Sequence, residues 1–141
     1  MKTNKNIYYN YFYLNPLKQG KYQYNDLPLC FLYEPFYVGK GVNDRYLQHF
    51  KECEKSSKSL KCKYINYLKT IYSINYLKSF VIRLPFVSEE RAFQNERIYI
   101  NQIGLLKDGS GCLVNQKDKG RRMKISRKSW KNIKKLNNIK R

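Results

Sequence analysis

The sequence predicts a small α+β domain, a three-stranded antiparallel or mixed sheet flanked by about three helices, with a basic C-terminal tail. Three observations predict it. Two aromatic runs near the N-terminus end at proline or glycine, three later segments space apolar residues at helical intervals, and no stretch repeats. The element order is strand, strand, helix, helix, strand, helix.

The first strand is YYNYFYL, Tyr8 to Leu14, which Asn15-Pro16 should end in a turn. Lys18 to Pro28 is polar, with Gly20 and Asn25-Asp26 as turn signals, and reads as an elaborated loop or a short extra hairpin. Phe36-Tyr37-Val38 is the second strand. Gly39 and Gly41 end it, permitting a close backbone approach. Asn43 or Asp44 can cap a helix from about Asp44 to Glu54, with Tyr46, Leu47, Phe50 and Cys53 on its buried face. After Ser56-Ser57, a second amphipathic segment from Ser59 to Ile71 carries Leu60, Tyr64, Tyr67, Leu68 and Ile71. SFVIRLPF, closed by Pro85, is the third strand. Ser88 and Glu89 then open a helix running to Ile103, which Gly104 terminates. CLVN, just beyond Gly109-Ser110-Gly111, reads as a brief extended piece.

Charge bounds the partners. Lys and Arg number 29 against 10 acids, a net +19 that favours a polyanion, with nucleic acid ahead of a membrane surface. The last 25 residues, Lys117 to Arg141, hold twelve Lys/Arg and one acid, a net +11. We divide the chain there, residues 1–116 forming a folded domain and 117–141 a basic tail, a candidate DNA-binding arm or short helix. Arg121, Arg122, Lys124, Arg127, Lys128, Lys131, Lys134 and Lys135 are the phosphate-contacting candidates. The tail is either a short helix along Ile125, Trp130, Ile133, Leu136 and Ile139 or a flexible arm. Such a tail supplies affinity rather than sequence preference.

No window approaches the roughly eighteen consecutive apolar residues of a membrane span, and MKTNKNIYYN lacks a signal-peptide core. A location in the cytoplasm or elsewhere inside the host cell, without secretion, is expected. Cys30, Cys53, Cys62 and Cys112 share no C-x-x-C spacing, and one histidine leaves no usual zinc pattern, so separate reduced thiols are expected. Gly39-Lys40-Gly41 lacks the P-loop pattern, and no nucleotide fingerprint occurs elsewhere.

In the last helix the apolar stripe Phe93, Ile100, Ile103 is joined, three residues after Phe93, by Glu96. A carboxylate in a core-facing slot needs a cation, strong donors or a metal. A structural ion pair with Arg45 or Arg83, or a rotated stripe, would also account for it. Arg45 and His49, one turn apart, can respectively hold a phosphate bidentately and accept a proton or orient a hydroxyl.

Taken together these pieces resemble the GIY-YIG nuclease family, in its order and over about Tyr8 to Asn115. Tyr37-Val38-Gly39 resembles the YIG element and Tyr11-Phe12-Tyr13 the GIY element. Arg45 and His49 match the first-helix arginine and histidine, Glu96 the metal-binding glutamate, and Asn115 the asparagine that follows. FYVGKG with its Arg and His is spaced as in phage-type or homing members. The chain departs in lacking glycine from the first element and in a longer Tyr13-to-Tyr37 linker. Tyr11 and Tyr13 share a strand face, and Tyr13 is preferred as the motif tyrosine.

The resemblance implies an endonuclease hydrolysing phosphodiester bonds with one divalent cation, Mg2+ or Mn2+, on Glu96. Arg45 would neutralise the phosphate, and Tyr13 or Tyr37 would orient or deprotonate water with help from His49. Lys40 is the candidate cation to lower the tyrosine's pKa. Double-stranded DNA is the expected substrate, with RNA open. The alternative is a catalytically inactive nucleic-acid-binding protein that keeps the fold.

Overall fold

The computed structural model describes residues 5–116. The tail and its candidate phosphate contacts lie outside the described residues. The expected α+β architecture is observed. A three-stranded sheet in the order β2-β1-β3 is formed by β1 (Tyr9–Gln23), β2 (Cys30–Gly41) and β3 (Val81–Arg83), antiparallel throughout. Four helices surround it: α1 (Arg45–Lys55), α2 (Leu60–Lys69), α3 (Ile74–Lys78) and α4 (Glu89–Ile103).

β1 is the central strand, and both of its faces are covered. Tyr9, Tyr11 and Tyr13 point into one core with Phe36, Phe50, Ile65 and Leu68, built by α1, α2 and α3. Phe12 and Leu14 point into the other, with Phe31, Val38, Ile100 and Ile103, beneath α4. This two-sided burial explains why the run is apolar or aromatic at nearly every position instead of alternating with polar residues. Each large side chain withdrawn from water here contributes about 1.5–3 kcal/mol.

The first strand is longer than expected. Pro16 does not turn the chain; β1 continues to Gln23, and the reversal comes at Asn25-Asp26, where Asn25 has φ 48°. Proline is tolerated because β3 stops opposite Tyr11 to Tyr13, so beyond Leu14 β1 pairs with β2 alone. The register shifts between Leu14 and Gln19 absorb the extra residues. Asn15 accepts there from the Leu17 amide (2.8 Å).

The helix ends follow local chemistry. Ser59, Ser73 and Ser88 each accept from a backbone amide three residues on, at 3.1, 3.1 and 3.2 Å. Glu89 and Glu90 complement the α4 dipole, and Gly104 ends that helix at φ 88°, where a Cβ would also strike the Ser110 carbonyl. α3, five residues between α2 and β3, was not anticipated. It is too short for a periodic signal, and Ser73 is its one local mark.

Two buried faces differ from expectation. α2 buries Cys62, Ile65 and Leu68, leaving Tyr67 and Ile71 exposed. α4 buries Ala92, Glu96, Ile100 and Ile103, and Phe93 is exposed. A large ring next to a small one-carbon side chain misled the periodicity: Ala92 is what faces the core. The cysteines need a larger correction. Cys53 of α1 and Cys62 of α2 are disulfide-bonded, with Cα atoms 4.9 Å apart, while Cys30 and Cys112 are free. The packing of two consecutive helices brings the pair together, and no short motif announces it. The thiol argument for a reducing compartment therefore falls. Among the described residues no helix is long and apolar enough to cross a membrane.

Candidate active site

The three tyrosines on the α1-facing side of β1 end in three different places. Tyr9 donates to the Asn43 carbonyl (2.7 Å) and accepts from the Tyr46 amide (3.2 Å), holding the start of α1. Tyr13 donates to the Tyr46 carbonyl (2.6 Å) and stacks on Phe50. Tyr11 reaches furthest in, its Oη 2.5 Å from His49 Nε2. The preference for Tyr13 is therefore not matched by the geometry. Tyr11 joins the histidine, and Tyr13's hydroxyl is committed to helix backbone.

Gly39 makes room for this. It pairs with Tyr11 across β1 and β2, and a Cβ at position 39 would overlap the Tyr11 hydroxyl and ring. The same strand places Tyr37 beside the histidine, ring centroids 4.8 Å apart and edge-on. Burial, then the Glu96 charge, pushes the Tyr37 phenol up to about 12, while Arg45 and a hydrogen bond from Tyr11 pull it down. Tyr11 is raised further, chiefly by burial.

His49 is 1 % exposed and is held neutral, its pKa lowered to about 3 by burial and then by the Lys61 and Arg45 charges. Its Nδ1 lies 2.8 Å from Lys61 Nζ and 3.3 Å from Glu52 Oε1. Glu52 also takes Arg45 (2.5 Å) and Lys61 (3.5 Å), joining three basic groups. Arg45's two side-chain hydrogen bonds, to Glu52 and Gln48, both leave from Nη1. The planar fork can still present its other nitrogens to a phosphate. Arg45 lines an open depression of ≈ 320 Å³ with Tyr8, Lys40 and the 41–44 turn.

From the opposite side α4 supplies Glu96, 3 % exposed, whose charge is felt by both Tyr37 and Tyr11. Asn10 ties α4 to the strands, donating to the carbonyls of Gly39 (3.3 Å) and Ala92 (2.9 Å). Asn115 is a clamp: its Oδ1 accepts from the Val38 amide (3.1 Å) and its Nδ2 donates to the Val38 carbonyl (2.8 Å). It fixes the Tyr37-Val38-Gly39 backbone from the outer edge of β2.

Tyr11, Tyr37, Arg45, His49 and Glu96 are thus brought to one region, with Gly39 and Asn115 shaping it. Lys40 shares the depression with Arg45 but stands apart from Tyr11, Tyr37 and His49. Its side chain lies on the other face of β2, 3.6 Å from Glu89 and over the Phe93 ring. The cation beside Tyr37 is Lys61, 5.3 Å from its ring centroid. Sequence reasoning missed Lys61 and Glu52. Glu52 was detectable, standing three and seven residues after His49 and Arg45 on the same helix. Lys61 was not, as one of 29 basic residues with no motif around it.

No curated protein and no solved structure matches the chain. The family model that does match is described as the LEM-3-like GIY-YIG domain, and it spans residues 8–138. With the strand pair carrying Tyr11 and Tyr37, the helix carrying Arg45 and His49, and the buried Glu96 already assembled, that match makes the chain a member of the LEM-3-like GIY-YIG family, a nuclease domain acting on nucleic acid.

Proposed function

We propose that this nuclease is a metal-dependent endonuclease that hydrolyses phosphodiester bonds in double-stranded DNA. The observation that carries the reading is Glu96, a carboxylate 3 % exposed on an otherwise apolar helix face, acting electrostatically on two buried tyrosines. Among the described residues no three His, Cys, Asp or Glu side chains converge. That donor set suits a hard cation keeping most of its waters, Mg2+ or Mn2+, on one carboxylate, Glu96. When bound it supplies Lewis-acid charge to the scissile phosphate and leaving oxygen and offsets the Glu96 charge that lifts Tyr37.

The chain's own residues do the rest. Arg45 binds the phosphate through the guanidinium nitrogens turned away from Glu52, concentrating positive charge where charge develops. Tyr37 takes the proton from the attacking water, since of Tyr11, Tyr13 and Tyr37 its phenol is raised least and its ring stands edge-on to His49. His49 orients Tyr11. Tyr13 packs and holds α1. Duplex DNA is the favoured substrate because the +19 net charge suits a dense polyanion. The candidate tail residues add phosphate contacts, and an intracellular location is compatible with that substrate. The phage or homing kind is supported by the FYVGKG spacing alone.

The test is incubation with supercoiled plasmid and Mg2+, beside Glu96→Ala and an EDTA control. Cleavage lost in both, with DNA binding kept, is expected. Cleavage surviving Glu96→Ala would remove the metal site assigned here.

A further inference from the structure

Lys61 sits where no motif residue is expected, yet it touches the histidine. Its ammonium is largely buried, with 17 % of the side chain exposed, and it stands 2.8 Å from His49 Nδ1. An ammonium donates only. At that distance Nδ1 must be the acceptor, so the imidazole proton is on Nε2, whose hydrogen-bond partner among the described residues is the Tyr11 hydroxyl at 2.5 Å. The proton on Nε2 is then donated to the Tyr11 hydroxyl, which is left with its own hydrogen to donate, and the nearby phenol on β2 is Tyr37, ring centroids 6.3 Å apart. A one-way chain results: Lys61 to His49 to Tyr11 to Tyr37. Positive charge is at one end and the proposed base at the other.

We propose that Lys61 is a positioning residue that fixes His49 in its Nε2-protonated tautomer and so aims the Tyr11 hydroxyl at Tyr37. Glu52 supports the arrangement. At 3.5 Å from Lys61 it favours the charged ammonium against burial, and as an acceptor 3.3 Å from Nδ1 it is the group that would capture a Nδ1 proton if Lys61 were absent. The charged and titratable groups facing His49 are thus Arg45 and Glu52 on α1, Lys61 on α2, Tyr11 and Tyr13 on β1 and Tyr37 on β2. The tautomer itself stands on geometry alone. Its consequence for cleavage rests on the nuclease reading above.

His49 is the chain's one histidine, so a ¹H–¹⁵N spectrum of the imidazole in labelled protein reports it without assignment. At neutral pH the unmodified protein should show Nε2 protonated and Nδ1 bare. Lys61→Met, folded by near-UV circular dichroism, should move the proton onto Nδ1 or into exchange between the nitrogens. Lys61→Arg should restore the original pattern at least in part. Turnover on plasmid should fall by about tenfold to a hundredfold in Lys61→Met, while DNA affinity in EDTA stays within about twofold. A Nδ1-protonated imidazole in the unmodified protein overturns the proposal without any variant, as does an unchanged tautomer in folded Lys61→Met. Lost DNA affinity with unchanged turnover would make Lys61 a phosphate contact and also overturn it. If the unmodified protein cuts no DNA, the nuclease reading fails, and the spectra still decide the tautomer.

Discussion

Tyr9, Tyr11 and Tyr13 look interchangeable in the sequence, and their different lengths of reach into α1 separate them only in three dimensions. The same-face argument correctly grouped them. What it lacked was the partner strand: Gly39 opposite Tyr11 opens the space that Tyr11 fills, whereas Tyr13 faces Tyr37. Gly39→Ala should therefore displace the Tyr11 ring from His49, at a cost of about 1–3 kcal/mol in stability. Cleavage should drop more than the fold does, and denaturant midpoints measured beside plasmid turnover will separate the two. A fully active Gly39→Ala would break the link between Tyr11 and catalysis. His49 gives a second prediction. Its pKa is depressed by folding, so between about 3 and 6.5 the unfolded chain binds more protons. Stability is complete above about 6.5 and falls as pH drops; Glu52, also depressed, acts in the same direction at lower pH. Urea midpoints from pH 7.5 to 4.5 should decline, and His49→Gln should flatten the upper part of that decline. Glu96 was legible as a misplaced carboxylate although Phe93 proved exposed, because a charge on an apolar stripe stands out even when the stripe is rotated.

The elements fall into those whose ends carry chemical signals and those whose ends do not. α1, α2 and α4 were found to within a few residues, with Ser59 marking the start of α2 and Ser88 and Gly104 the limits of α4. The length of β1 was hidden, as Pro16 is a strand breaker only where a ladder bond is needed on both sides, and β3 is too short to demand one. The α1–α2 hairpin was hidden in another way. Its disulfide links Cys53 and Cys62, nine residues apart and beside Glu52 and Lys61. Closing so short a loop contributes about 2–3 kcal/mol by restricting the unfolded chain. Reduction, or Cys53→Ser with Cys62→Ser, should lower the stability by about that amount, read by denaturation with and without a thiol reductant. Because the bridge joins the helix of His49 to the helix of Lys61, activity should fall on reduction as well. Equal stability in both states would mean that the pair is not bonded in solution.

At the scale of the molecule, charge and fold divide the labour of recognition and chemistry. The described domain assembles Tyr37, Arg45, His49 and Glu96, while much of the excess charge is in residues 117–141, within and beyond the matched span. DNA affinity should thus be steeply salt-dependent. With six or more phosphate contacts it should fall by about 10³ or more between 50 and 200 mM salt, and truncation after Gln116 should flatten that slope. Unchanged slope after truncation would place the phosphate contacts on the domain. The clamp on β2 has its own bearing on how two strands of a duplex could be cut. Val114 donates to the Phe36 carbonyl (2.6 Å) and Asn115 occupies both polar groups of Val38. The outer margin of the sheet beside the site is thereby already spoken for. A second copy cannot continue the sheet across 36–38, so any paired cutting must bring two active sites together through helices or through the DNA itself.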